Sequence, residues 1–182
     1  SSMTVEMSSS VLKPRRLVST TTASVFRNTA KSMKVLFLNY EYPPLGGGAS
    51  VATEALLKEW ATRSTGSGSS KDSQIEVHLV TAALGNTLEE SVVGGNVHVH
   101  RLPIGKNPER LHSQSLRDIF VYTIKSWFFL QSFIREENKK GKFDVTLAFF
   151  TVPCGFIAYL VKLFYGIPYV VSLRGADVPG FS

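Results

Sequence analysis

The stretch that most restricts the fold is residues 33–60, MKVLFLNYEYPPLGGGASVATEALLKEW. Residues 35–38 are apolar throughout, which predicts a central strand of a parallel sheet covered by helices on both faces. Tyr42-Pro43-Pro44 ends that strand, because neither proline can donate a ladder hydrogen bond. Gly46, Gly47 and Gly48 follow, residues that can take positive φ and let a ligand approach the backbone. Ser50 is then a candidate N-cap, and Ala52, Ala55, Leu56 and Trp60 fall at helical spacing. A glycine loop feeding a helix N-terminus presents free N–H groups and the positive end of the helix dipole, which suits phosphate.

The rest of the chain repeats this alternation. Residues 75–81 (IEVHLVT) read as a second strand, 84–96 as a loop and 97–103 as a third strand. His98 and His100 share one face of that strand. They are metal ligands in principle, but no third ligand lies near them in the sequence, and partly exposed strand positions are the preferred reading. Residues 116–137 predict a long helix with its apolar stripe at Leu116, Phe120, Thr123, Trp127, Leu130 and Ile134. The opposite stripe is polar except for Tyr122 and Phe129, and Phe128 and Phe133 widen the apolar arc. That width implies cover by another element of the protein, with a membrane surface or second domain as the alternative. Gly141 closes the helix after the basic pair Lys139-Lys140.

Residues 143–150 form the fourth expected strand, followed by Thr151-Val152-Pro153-Cys154-Gly155 and a helix through Tyr165. Residues 169–173 form the fifth, ending in Arg174-Gly175-Ala176-Asp177. The pattern specifies an α/β fold, a doubly wound, mostly parallel Rossmann-like sheet with helices on both faces. Ligands of such sheets lie beyond the carboxyl ends of the strands. The glycine run, the turn at Thr151 and the turn at Arg174 all fall there, so three loops are expected to converge on one edge.

A chain of 182 residues is about one domain long. It has no run of the roughly 18–20 apolar residues that a membrane-spanning helix needs, and it reads as soluble and cytoplasmic. Net charge is +6, yet residues 1–32 hold five Lys and Arg against Glu6 alone, leaving fifteen basic and thirteen acidic residues elsewhere. Basicity concentrated in the leader argues against a nucleic-acid-binding domain. Residues 1–32, rich in Ser, Thr and Arg, read as a disordered leader with an organelle transit peptide as the alternative, and residues 33–182 as the folded domain. Cys154 is the only cysteine, which rules out an intramolecular disulfide and a cysteine metal cluster.

Several chemistries fail on their motifs. Gly46-x-Gly48 has Val51 where a dinucleotide fingerprint needs a third glycine, and the second strand ends without an acid for a ribose. No Gly-Lys-Ser/Thr follows the glycines, and no Gly-x-Ser-x-Gly elbow is present. Cys154 reads as a small buried residue rather than a nucleophile. A phosphate-friendly loop facing Arg174 and Asp177 is left. Arg174 could grip a phosphate or carboxylate in a fork, while Asp177 could accept from sugar hydroxyls. Equally, the two side chains could bond each other and nearby backbone and simply order the turn.

The combined run of Met33-Lys34-Val35, Tyr42-Pro43-Pro44-Leu45-Gly46-Gly47-Gly48-Ala49, Phe143-Asp144-Val145 and Gly166-Ile167-Pro168-Tyr169 through Arg174-Gly175-Ala176-Asp177-Val178-Pro179-Gly180 resembles the N-terminal, acceptor-side half of a family 4 glycosyltransferase of the GT-B fold. The resemblance implies retaining transfer of a sugar from a nucleotide-sugar to a sugar, lipid or other hydroxyl acceptor, in a cleft between two Rossmann-like domains. It implies no metal and no cofactor beyond the nucleotide-sugar substrate. Gly46, Gly47 and Gly48 would lie against the donor diphosphate, and Thr151, Arg174, Gly175 and Asp177 would form the acceptor and cleft side. Many members have His where Arg174 stands; the exchange disfavours a role for a neutral imidazole and fits a fixed positive charge. No catalytic residue is assigned. The donor domain would follow Ser182, so this chain is expected to be a fragment, a truncated product or one subunit of a split enzyme, and inactive by itself. The alternative from another class is a non-catalytic binding domain that docks on a membrane or partner protein through Phe129 and Lys125; nucleic acid is not an expected partner.

Overall fold

The computed structural model describes residues 32–65, 75–106 and 115–177. Six strands, β1 (Met33–Leu38), β2 (Ile75–Ala83), β3 (Glu89–Val93), β4 (Val97–Pro103), β5 (Val145–Phe149) and β6 (Tyr169–Ser172), form one sheet in the order β3-β4-β2-β1-β5-β6. All pairings are parallel except β3 with β4. Three helices, α1 (Gly48–Thr65), α2 (Leu116–Lys140) and α3 (Phe156–Tyr165), connect the strands. The expected doubly wound α/β sheet is therefore present, with β1 at its centre between β2 and β5.

The pleat of the sheet sorts the core into two layers. Val35, Phe37, Val77, Leu79, Val97 and Val99 face α1 and pack with Leu57 and Ala61. Leu36, Leu38, Val80 and Ala82 face the other way and pack with Tyr122, Leu130 and Ile134 of α2 and Ile157, Ala158 and Val161 of α3. Strands buried on both faces explain why β1 and β2 read as nearly continuous apolar runs.

Four sequence expectations change. Residues 84–96 contain an antiparallel edge strand, β3; its sequence EESVV is almost fully exposed and so carries no alternation to betray it. The first helix begins at Gly48, two residues before Ser50, with the Gly47 carbonyl accepting from the Ser50 and Val51 amides. Its inward side is Thr53, Leu57 and Ala61, with Leu56 and Trp60 packed alongside, while Ala55 is exposed. The buried face of α2 is Asp118, Tyr122, Ser126, Leu130, Ile134 and Glu137, whereas Leu116 and Phe120 face solvent. Polar partners explain this rotation: the Tyr122 hydroxyl donates to the Val80 carbonyl at 2.8 Å, and Lys106 Nζ lies 3.4 Å from the Asp118 carboxylate. Hydrophobicity alone cannot anticipate a tyrosine and an aspartate buried because they are paired.

The leader at residues 1–32 lies outside the described residues except for Ser32, as do residues 66–74. Among the described residues, no helix is long and apolar enough to cross a membrane.

Candidate active site

At the carboxyl ends of β1, β5 and β6 the chain leaves an open cleft of about 440 Å³, lined by Glu41, Gly47, Gly48, Ala49, Phe150, Arg174 and Gly175. The glycine loop and the Arg174 turn, 126 residues apart in sequence at Gly48 and Arg174, are thus the two walls of one space.

The first wall is organised by Asn39, which is fully buried just after β1. Its side chain donates to the Glu41 carbonyl and to Thr53 Oγ1 of α1 and accepts from the Glu41 amide. The turn is thereby fastened to the helix it feeds. Gly46 sits at φ +93°, and a Cβ there would come within 2.6 Å of the Glu41 side chain. Glycine is required at this position by backbone and by space. Gly47 and Gly48 are different: nothing lies within 4 Å of where their Cβ atoms would be, so only an approaching ligand would need them bare. Glu41 Oε2 accepts the Gly47 amide at 3.2 Å. A carboxylate therefore already occupies the position, beside the start of α1, that phosphate was expected to take.

The second wall comes from β5 and β6. Phe150 takes φ 68°, a left-handed conformation that a bulky side chain rarely adopts, and it costs of order 1–3 kcal/mol. It turns the chain from β5 into a tight kinked turn at Thr151–Gly155, extended at Val152 (φ −125°, ψ 129°), whose Gly155 amide donates back to the Phe150 carbonyl at 3.0 Å. The Arg174 guanidinium lies over the Phe149 ring, 3.5 Å from its centroid, and Arg174 Nε is buried without a hydrogen-bond partner. Asp177 does not pair with that guanidinium. Its carboxylate accepts from the Thr151 amide and the Arg174 amide, both at 3.1 Å, and so staples the β5 turn to the β6 turn.

Of the residues expected from sequence, Gly47, Gly48, Arg174 and Gly175 line the cleft; Gly46, Thr151 and Asp177 support it through the contacts described. Glu41, Ala49 and Phe150 went unnoticed in the sequence. A carboxylate three residues past the end of an apolar strand, inside Tyr-Glu-Tyr-Pro-Pro, was the available signal for Glu41; the conformation of Phe150 had none. Cys154 is fully buried, and burial pushes its thiol up to about 12, which suits packing rather than nucleophilic attack. Chemically the cleft offers one guanidinium, amides at a helix start and one displaceable carboxylate. That arrangement can hold an anion between two loops.

The histidines need correction. His100 is buried rather than partly exposed, and further ligand types do lie beside the pair: Glu76 and His78 of β2. They come from the neighbouring parallel strand, which proximity in sequence could not reveal.

No protein-family model matches the sequence, and no curated relative matches it. Among solved structures, the chain is similar to the sucrose-phosphate synthase of Thermosynechococcus elongatus, with a TM-score of 0.50 and 12% identity over 80% of this chain and 65% of that one. At that identity the likeness establishes the α/β fold, and this chain spans less than two thirds of its neighbour's length.

Proposed function

We propose that this chain is the acceptor-side half of a retaining family 4 glycosyltransferase of GT-B type, acting on a nucleotide-sugar in a cleft completed by a second domain. The observation that carries this reading is the Arg174 guanidinium, with its buried unpartnered Nε, facing the Gly47–Gly48 helix start across one open cleft. The fold shared with a protein named for sucrose-phosphate synthesis adds support.

The reaction would break the bond between the anomeric carbon and the diphosphate oxygen and form a bond from that carbon to the acceptor oxygen, whose hydroxyl proton passes to the departing diphosphate. Negative charge grows on the departing diphosphate. Amides at the start of α1 and the Arg174 guanidinium are preorganised where that charge develops, the condition for electrostatic catalysis. Glu41 would leave the Gly47 amide as the diphosphate arrives. Thr151 and Gly175 would shape the acceptor side, and Asp177 would hold both turns in place. No metal is needed for this charge compensation, because the guanidinium and amides supply it.

Titration with nucleoside diphosphates, monophosphates and nucleosides tests the reading. Binding should depend on the diphosphate and proceed in the presence of a chelator, and Arg174→Ala should weaken it about tenfold, as for a lost charge-assisted pair. Nucleosides binding as well as their diphosphates would overturn it. In an assembled two-domain enzyme the product should keep the anomeric configuration of the donor; inversion would refute retaining transfer.

A second reading rests on a separate observation. Leu116, Phe120, Ile124 and Phe128 form an exposed stripe along α2, with Phe128 70% exposed. Phe129, expected in this role, instead packs half-buried against His100 and Phe133. Docking on a membrane surface would then use Phe120 and Phe128, and co-sedimentation with anionic vesicles that Phe128→Asp does not reduce would remove the idea.

A further inference from the structure

We infer that Glu76, His78 and His98 form a binding site for one divalent late-transition-metal ion, on the α2 face of the sheet and away from the cleft. Glu76 and His78 are the second and fourth residues of β2, and His98 is the second residue of β4, so the cluster lies toward the strand ends remote from the anion-binding loops. His78 and His98 are register partners on neighbouring parallel strands, and their rings stack with centroids 4.6 Å apart. One ligand atom from each of the three residues falls within 4.8 Å of the others. A tetrahedral zinc site places its nitrogen and oxygen ligands about 3.3 Å apart. Small rotations of His98 and Glu76, both only half-buried, would close that difference.

The hydrogen bonds around His78 give an independent reason. Glu76 Oε1 lies 2.8 Å from His78 Nε2, His78 Nδ1 lies 3.3 Å from His100 Nε2, and His100 Nδ1 lies 2.9 Å from Glu90 Oε1. These three contacts need three protons. Two neutral imidazoles supply two N–H groups, and ionised carboxylates supply none. Either a third proton, making one ring an imidazolium, or a metal ion between Glu76 and His78 Nε2 completes the set, and the ion does so with both rings neutral. His78 Nδ1–H can then donate to His100 Nε2, and His100 Nδ1–H to Glu90, so every contact is satisfied. The pair His100 and Glu90 becomes the outer shell that fixes the tautomer and ring orientation of a liganding histidine.

Local charge favours a cation. Lys34 Nζ is 3.4 Å from Glu76, but its shorter contact, 2.6 Å, is with Glu137, which also takes Lys140 at 2.8 Å. Three carboxylates, Glu76, Glu90 and Glu137, therefore face two ammonium groups. Imidazole and carboxylate donors together suit zinc, copper or nickel rather than calcium or magnesium. The ion would cross-link β2 to β4 and be structural.

Calorimetric titration of the chelator-stripped full chain with Zn²⁺, paired with visible absorption of the Co²⁺ form, tests this. One equivalent of Zn²⁺ should bind, tetrahedral Co²⁺ bands should appear, and the melting temperature should rise. His98→Ala and Glu76→Gln, both at half-buried positions, should each weaken binding at least about tenfold; Glu54→Gln, on α1 across the sheet, should leave it unchanged. Far-ultraviolet circular dichroism confirms that each variant is folded, and Glu90→Gln supplies a milder variant that should weaken binding without removing a ligand. Absence of stoichiometric binding to the wild-type chain overturns the inference, as does binding that survives both His98→Ala and Glu76→Gln or disappears with Glu54→Gln.

Discussion

Exchanging single glycines for alanine in the loop at 46–48 should separate what the fold needs from what a ligand needs. At Gly46 the added Cβ would meet Glu41 at 2.6 Å while the backbone holds φ +93°. Left-handed backbone costs an alanine about 1–2 kcal/mol, and overpacking of this kind typically costs about 1–3 kcal/mol. Gly46→Ala should therefore lose roughly 2–5 kcal/mol, a large share of the about 5–15 kcal/mol that holds a domain together. For a chain of this size that corresponds to a fall in melting temperature of about 4–20 °C. Gly47→Ala meets nothing within 4 Å, and its backbone is not left-handed. Its melting temperature should stay within about 2 °C of wild type, because such a substitution changes stability by no more than about 0.5 kcal/mol. Thermal unfolding followed by circular dichroism reads both, and diphosphate titration of the still-folded Gly47→Ala protein should show weakened binding. Equal melting temperatures for the two variants would refute the distinction, and unimpaired anion binding by Gly47→Ala would refute the close approach.

Acid should unfold the metal-free protein in two stages. Burial pushes His78 down to about 4 despite its hydrogen bond to the Glu76 carboxylate, so its neutral form is favoured in the fold; the associated stability is complete above pH 6.5 and declines as pH falls toward 4. Glu137 would be raised by burial, but hydrogen bonds from Lys140 and Lys34 bring it down to about 2, and the stability it adds is lost between pH 4.5 and 2, about 1–2 kcal/mol after screening. Denaturant midpoints measured across pH 7 to 3 check this, and a flat profile from pH 6.5 to 4 would contradict the His78 stage, which His78→Gln should abolish. Asp177→Ala orphans the Thr151 and Arg174 amides and should cost about 1–2 kcal/mol in urea unfolding; an unchanged midpoint would mean that water replaces the staple. Tyr122→Phe removes a fully buried hydroxyl from the Val80 carbonyl and should cost about 1 kcal/mol in the same assay. No loss there would mean that the rotated face of α2 does not depend on this bond.

The parallel sheet was legible because β1 and β2 are nearly continuous apolar runs of strand length between helix-length segments, and burial on both faces leaves that signature. The meeting of the glycine loop with the Arg174 turn was legible too, since the rule that loops follow the carboxyl ends of parallel strands places both on one edge. What escaped depends on contacts between distant residues. The inward turn of Asp118 follows from Lys106, and the proximity of His78 to His98 follows from strand order rather than strand sequence. β3 escaped because an exposed edge strand needs no apolar alternation. The open question of whether Arg174 and Asp177 bond each other was settled by Asp177 turning to two backbone amides and leaving the guanidinium over Phe149. A sequence names the partners available to a carboxylate; only packing selects among them.

In the proposed site, Gly47, Gly48 and Arg174 grip one anion together. Titration of ¹⁵N-labelled protein with pyrophosphate reports on both walls through the Gly47 and Gly48 amides and the Arg174 Nε–H. All three signals should move with a single dissociation constant, and Arg174→Ala should remove the response of the glycines. Unmoved glycine amides, or shifts of Gly47 that persist unchanged in Arg174→Ala, would contradict it.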